Sequence, residues 1–261
     1  MFQVDAFSTT PFRGNPAAVC LLEQPLHDQQ MQQIAAENNL SETAFILPGA
    51  PHPTIRWFTP TTEVDLCGHA TLASAWVWLH HVRPQDEDVI FESPSGPLTI
   101  WRAGAMLRMR LPLRSPEPCA LPDTLRRGLD IEPSATLAAN AYLAVYTHAD
   151  QVRALRPDMD VLRNLDREGV IATAPANTDD LDFVSRYFVP SQGIDEDPVT
   201  GSTHCVLTPY WAERLGKRRL RARQCSARGG ELLCELGDDH VDIHGAVSPY
   251  LEGTITLPAT T

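Results

Sequence analysis

Two stretches of this 261-residue chain carry the same landmarks in the same order. Arg56-Trp57-Phe58-Thr59-Pro60 returns as Arg186-Tyr187-Phe188-Val189-Pro190. Each copy leads through an acidic residue into a small-residue turn, Asp65-Leu66-Cys67-Gly68-His69 in one and Asp197-Pro198-Val199-Thr200-Gly201-Ser202 in the other. Upstream, Glu42-Thr43-Ala44-Phe45-Ile46-Leu47-Pro48 has the length and pattern of Gly169-Val170-Ile171-Ala172-Thr173-Ala174-Pro175. Downstream, Ser95-Gly96-Pro97-Leu98 is echoed by Arg228-Gly229-Gly230-Glu231-Leu232. Ordered matches of this kind point to a duplicated unit, and hence to two similar domains. Pro112, Pro116, Pro118 and Pro122 crowd a short stretch that regular interior structure does not tolerate, so the boundary is expected near Pro116. The expected domains are 1–116 and 117–251, with a C-terminal strand at 252–261 packing on the first.

Within each half the pattern reads strand, helix, strand, buried helix, hairpin. Asp28 is placed to cap a helix whose Met31, Ile34 and Ala35 have helical spacing, and Asn38-Asn39 to end it. From His69 to Leu79 the chain is apolar on nearly every side, which predicts a helix enclosed by other structure. His204 to Leu215 is the matching helix, with Pro209 as a kink. Leu107, Met109 and Leu111 alternate with Arg108 and Arg110, the mark of an antiparallel hairpin with one wet face. The expected class is α+β: two pseudo-symmetric domains, each a curved antiparallel sheet or barrel around a central helix.

Charge narrows the partners. With 21 Lys+Arg against 33 Asp+Glu the net charge is −12, a field that repels phosphate backbones and anionic lipid, so no nucleic-acid or membrane partner is expected. The basic run Lys217 to Arg223 reads as a solvated surface. The start, Met1-Phe2-Gln3-Val4-Asp5, lacks a leader pattern, and no run of about 18 apolar residues occurs. The 6 cysteines form no CxxC pair and read as reduced thiols, so the chain is expected to be soluble and cytoplasmic.

Both buried helices open on a glycine turn, and the first turn of a helix presents backbone N–H groups and partial positive charge suited to a carboxylate. If the halves packed face to face, the two helix N-termini, at Gly68-His69 and Gly201-Ser202, would converge on one small anionic metabolite. Glu42 opens a strand on whose face Leu40, Ala44 and Ile46 lie by period two, and burial there would favour a protonated carboxyl, as a proton shuttle requires. Its repeat equivalent is Gly169. His69 sits at the helix mouth, where positive potential keeps an imidazole neutral. Asp197 and Ser202 flank the second turn and read equally well as helix caps. Cys67 suggests a two-thiol racemase, but its counterpart is Thr200, a hydroxyl too weakly acidic to replace a thiol. There is no GxGxxG, P-loop, HExxH or GxSxG motif, and Cys67-x-His69 and His80-His81 are too sparse for a metal site. No cofactor and no metal are expected.

Asn15-Pro16-Ala17 after Asp5-Ala6-Phe7, Ser41-Glu42-Thr43, Asp65-Leu66-Cys67-Gly68-His69-Ala70-Thr71 and Glu196-Asp197-Pro198-Val199-Thr200-Gly201-Ser202 together resemble the phenazine-biosynthesis isomerase (PhzF-like) family over nearly the whole chain. The resemblance implies a diaminopimelate-epimerase-like fold and a homodimer. It assigns the moving proton to Glu42, with His69 and Asp197 as catalytic partners and Gly68, Thr200, Gly201 and Ser202 as substrate contacts. The expected function is a cofactor-independent, PhzF-like isomerase transferring a proton within a small carboxylate-bearing, amino-acid-like metabolite. The competing readings are an amino-acid racemase or epimerase using Cys67, and a non-catalytic metabolite- or protein-binding member of the fold.

Overall fold

The computed structural model describes residues 1–257, which form two compact units, Met1–Met109 with the chain from Gly245, and Arg110–His244. The first contains β1 (Phe2–Ala6), β2 (Asn15–Leu21), α1 (Asp28–Asn38), β3 (Glu42–Leu47), β4 (Thr54–Phe58), β5 (Glu63–Val64), α2 (Gly68–Val77), β6 (Asp88–Ser93) and β7 (Gly96–Ala103). Strand β8 (Met106–Pro112) then carries the chain into the second unit. There follow β9 (Glu117–Pro118), α3 (Asp123–Gly128), β10 (Ala135–Ala138), β11 (Tyr142–Val145), α4 (Ala149–Ala154), α5 (Met159–Leu162), β12 (Val170–Pro175), β13 (Phe183–Val189), β14 (Ile194–Asp197), α6 (His204–Leu215), β15 (Arg219–Gln224), β16 (Gly230–Leu236) and β17 (His240–Gly245). Strand β18 (Val247–Glu252) pairs with β1. The strand expected at 252–261 thus ends at Glu252; residues 253–257 continue without strand structure, and 258–261 lie outside the described residues.

The class is mixed α+β, as expected, but the sheets are not purely antiparallel. β2 runs parallel to β3 and β4 to β6, and in the second unit β11 runs parallel to β12 and β13 to β15. Parallel neighbours need a crossover, and α1, α2, α4 with α5, and α6 lie within those connections. The duplicated motif is therefore a pair of crossovers followed by a hairpin, β6 to β8 and β15 to β17.

The apolar helices behave as their sequences require. In α2 every residue from His69 to Val77 except Trp76 is buried, and the helix packs on β1, β2 and β3 before ending in a π-helical turn, Trp78–Val82. In α6 the stretch His204 to Thr208 is buried, as are Tyr210, Trp211 and Ala212. Pro209 lies inside the helix, and the Trp211 indole stacks on Phe183 while donating to Thr173 Oγ1 at 2.9 Å. On α1 the buried Met31, Ile34 and Ala35 meet Cys20, Phe45 and Phe58. The expected cap is displaced: Asp28 is the first helical residue, and its carboxylate accepts from Arg56 Nη1 at 2.7 Å, leaving His27 as N-cap. Asn39, at φ 49°, closes the helix in the left-handed conformation that asparagine tolerates. Among the described residues no helix is long and apolar enough to cross a membrane.

Candidate functional site

Strand register turns the repeat into an atom-level correspondence. Thr43 lies opposite Phe58, and Val170 opposite Phe188, so Glu42 and Gly169 occupy equivalent positions. A Cβ at Gly169 would sit 2.3 Å from the Phe188 carbonyl oxygen, which bars any side chain there. Gly169→Ala is accordingly expected to destabilise the protein by about 3 kcal/mol through overpacking against backbone, seen as a lower urea midpoint. The second turn behaves differently from its sequence match. Glu63 lies opposite Phe58 and Glu196 opposite Phe188, so Asp197 corresponds to Val64 and not to Asp65. The matched acids are Glu63 and Glu196, which clamp Arg56 and Arg186 with paired hydrogen bonds of 2.6 to 2.8 Å while each guanidinium lies over a phenyl ring, Phe58 or Phe188. These ion pairs are scaffold. Glu42 is matched to Gly169 and Asp197 to Val64, so neither has an acidic counterpart in the other unit.

In the first unit the expected residues come together. Parallel pairing sets Glu42 beside Ala17 at the mouth of β3. Beyond it Thr43, Ala44, Phe45 and Ile46 are all buried, because α1 covers one face and α2 the other, so the expected alternation of apolar and polar faces is lost. The Glu42 side chain is 19% exposed. Cys67 caps α2 in an extended conformation, and its carbonyl accepts both the N–H and the hydroxyl of Thr71, at 3.0 and 2.6 Å. This anchors the first turn and turns His69 inward. One edge of the His69 ring faces Cys67, with Nδ1 to Sγ 3.4 Å; the opposite edge faces Glu42, with Nε2 to Oε2 3.3 Å. Burial pushes the His69 pKa down to about 4 against the opposing pull of a hydrogen bond to the Pro16 carbonyl, so the ring is neutral at pH 7. Burial is the main cause, where the sequence suggested the helix dipole.

Glu42, Cys67 and His69 each place one donor atom within 4.8 Å of the others. The imidazole stands between the other two groups, each of which faces a different ring nitrogen, an arrangement unlike a chelate, whose donors all face one point.

In the second unit Asp197, Thr200, Gly201 and Ser202 share one turn. The Thr200 hydroxyl donates to Asp197 Oδ2, and its N–H donates to Gln224 Oε1 at 3.0 Å. Gln224 Nε2 in turn donates to the Asp197 carbonyl at 2.7 Å and to Thr200 Oγ1 at 3.2 Å. Gly201 is buried and Ser202 exposed, and the N-cap of α6 is Thr203, not Asp197 or Ser202. The turn is tight: the N–H groups of His204 and Cys205 donate to the carbonyls of Gly201 and Ser202 at 3.0 and 3.1 Å.

Two organising residues escape the sequence reading. Gln224, fully buried, joins β15 to the turn. His204, also fully buried, donates from Nδ1 to the Thr200 carbonyl at 2.8 Å, and burial pushes its pKa to about 4. The repeat held the clue to His204: counted from Cys67 and Thr200 it is the equivalent of Thr71, and both side chains bond the carbonyl four residues back.

The comparisons with known proteins show the family and the fold. Residues 4–253 match the family model for phenazine biosynthesis-like protein, PhzC-PhzF. The chain is 48% identical over 257 residues to an uncharacterized isomerase of Pseudomonas aeruginosa, covering 98% of each. It is 40% identical over 285 residues to the phenazine biosynthesis-like domain-containing protein of Homo sapiens, again covering 98% of each. The crystal structure of an Enterococcus faecalis PhzF-family protein superposes with a TM-score of 0.95 at 40% identity, covering 98% of both chains. A probable proline racemase of Agrobacterium radiobacter, at 12% identity, TM-score 0.62 and coverage of 98% of this chain and 92% of that one, shares the fold alone. The chain belongs to the PhzC-PhzF family of phenazine biosynthesis-like proteins, whose relatives include named isomerases.

Proposed function

We propose that the protein is a cofactor-independent isomerase that moves one proton between two carbons of a small, carboxylate-bearing, amino-acid-like metabolite. The observation that carries this reading is the pair Glu42 and His69, a mostly buried carboxyl against a buried neutral imidazole, beside the first turn of α2. That turn offers N–H groups, Gly68 among them, to a substrate carboxylate. Glu42 then takes a proton from one carbon and returns it to another. The parts assigned to Asp197, Thr200, Gly201 and Ser202 rest on the family resemblance, as does assembly as a homodimer. Light scattering at micromolar protein should give the mass of two chains; the mass of one would overturn the dimer.

The deciding experiment incubates the protein with a metabolite pool in D₂O and reads deuterium incorporation by mass spectrometry. Wash-in at one carbon of a carboxylate-bearing compound is the expected result. No wash-in across a broad pool would favour a binding protein of the same fold. A two-thiol racemase is disfavoured because the position equivalent to Cys67 is Thr200, whose hydroxyl is bonded to Asp197. Cys67→Ala is therefore expected to slow exchange by less than about tenfold, whereas a loss of about 10³ or more would restore the racemase reading.

A further inference from the structure

We infer that Gln224 and Thr200 are positioning residues for Asp197: the buried amide of Gln224 turns the Thr200 hydroxyl onto Asp197 Oδ2 and holds that oxygen in place. This rests on the reading of Asp197 as a catalytic partner. Two backbone groups set the orientation of the amide. A backbone N–H can only donate, and that of Thr200 lies 3.0 Å from Gln224 Oε1; a backbone carbonyl can only accept, and that of Asp197 lies 2.7 Å from Nε2. The reversed amide would set donor against donor and acceptor against acceptor. The remaining N–H of Nε2 donates to Thr200 Oγ1 at 3.2 Å. A hydroxyl has one proton to give, and that of Thr200 goes to Asp197 Oδ2.

Both donors of Thr200 are thereby committed within the protein, N–H to Gln224 and O–H to Asp197. Its part is to place Asp197 and not to donate to a substrate. The last torsion of an aspartate is broad, so an oxygen that must meet a reacting group at a set angle needs a partner that fixes it. The cluster is not a requirement of the turn itself. By register and spacing the first unit carries Val64 in place of Asp197 and Cys67 in place of Thr200, and it passes from strand to helix without the acid or the hydroxyl. Gln224 is fully buried, and an amide taken out of water is costly unless its polar atoms are bonded. Here its bonds all go to Asp197 and Thr200.

The first test needs no substrate. A threonine hydroxyl held by a carboxylate exchanges slowly with water and gives a resolved proton signal in carbon-13-labelled threonine NMR. Wild type is expected to show this signal for Thr200, assigned by its loss in Thr200→Val. Thr200→Ser, which keeps the hydroxyl, should show the same protection in serine-labelled protein. Gln224→Met, similar in shape but without donors, should speed the exchange by about tenfold or more. In the deuterium wash-in assay Gln224→Met should lower kcat by about ten- to a hundredfold with KM within about twofold, since a misplaced group is felt in the transition state more than in binding. A wild-type Thr200 hydroxyl in fast exchange overturns the inference, whether or not the variants fold. So does a folded methionine variant with wild-type kcat or wild-type hydroxyl exchange. If the wild-type protein shows no wash-in with any metabolite, the isomerase reading fails, while the hydroxyl signal still decides whether Gln224 and Thr200 hold Asp197.

Discussion

Glu42→Gln should lower turnover by a factor of about 10² to 10⁴ while the protein stays folded and saturable with substrate. The range is that of a single positioned acid or base. The amide keeps the shape of the carboxyl and its place at the mouth of β3 but cannot take up and return a proton. Binding should survive, because the N–H groups of the α2 first turn belong to the backbone and are untouched. The cost to the fold should be small, about 1 kcal/mol, since a partly buried carboxyl replaced by its amide sheds desolvation while it alters its polar contact with His69. Position matters as much as chemistry: the equivalent residue in the second unit is Gly169, with no room for a side chain, so the repeat supplies no acid at the matching position. Deuterium exchange at the wild-type rate in the folded amide variant would sink the assignment.

Acid should unfold the protein well before its carboxylates are fully protonated. His69 and His204 are buried, and burial pushes both pKa values to about 4, from an ordinary value of 6.5. Between those limits the unfolded chain binds protons at these residues and the folded chain does not, so stability falls as pH drops from about 6.5 to about 4 and changes no further from this source below that. Each ring contributes about 3 kcal/mol over the window, and the two together remove a large part of the 5 to 15 kcal/mol typical of a domain. Urea midpoints measured from pH 7 to pH 4 should show the decline, and His204→Gln, which lacks a titrating ring, should make it shallower by roughly half. A midpoint flat across the window would show that neither ring is held neutral. Because His204 bonds the Thr200 carbonyl and the Thr203 hydroxyl at the head of α6 and is equivalent to Thr71, its variant tests stability apart from the proton transfer assigned to Glu42.

Much of the architecture was legible in the linear chain because it is written in local patterns. The all-apolar run from His69 announces a helix that must be enclosed, and the alternation of Leu107, Met109 and Leu111 with arginines announces a half-wet hairpin; both follow from side-chain period alone. The duplication was legible for the same reason, as was Asn39 as a helix stop. The parallel pairings of β2 with β3 and β4 with β6 were not, since strand direction within a sheet depends on where a crossover returns, and no local period records it.

The candidate site divides along the same line. By itself the sequence determined which residue types stand at the two glycine turns, and that Glu42 has no acidic counterpart in the other half. Only the tertiary structure decided which acids are scaffold and which stand alone: strand register pairs Glu63 with Glu196 and leaves Asp197 matched to Val64, a one-residue shift that loops of unequal length conceal. Tertiary structure also decided that His69 is neutral chiefly through burial, and that it stands between Cys67 and Glu42, residues far apart in the chain. Gln224 escaped for the same reason, being joined to Asp197 and Thr200 only when β15 pairs beside β13. Periodicity reports which face of an element is dry; which polar group meets which inside that dry space is set by contacts between distant segments.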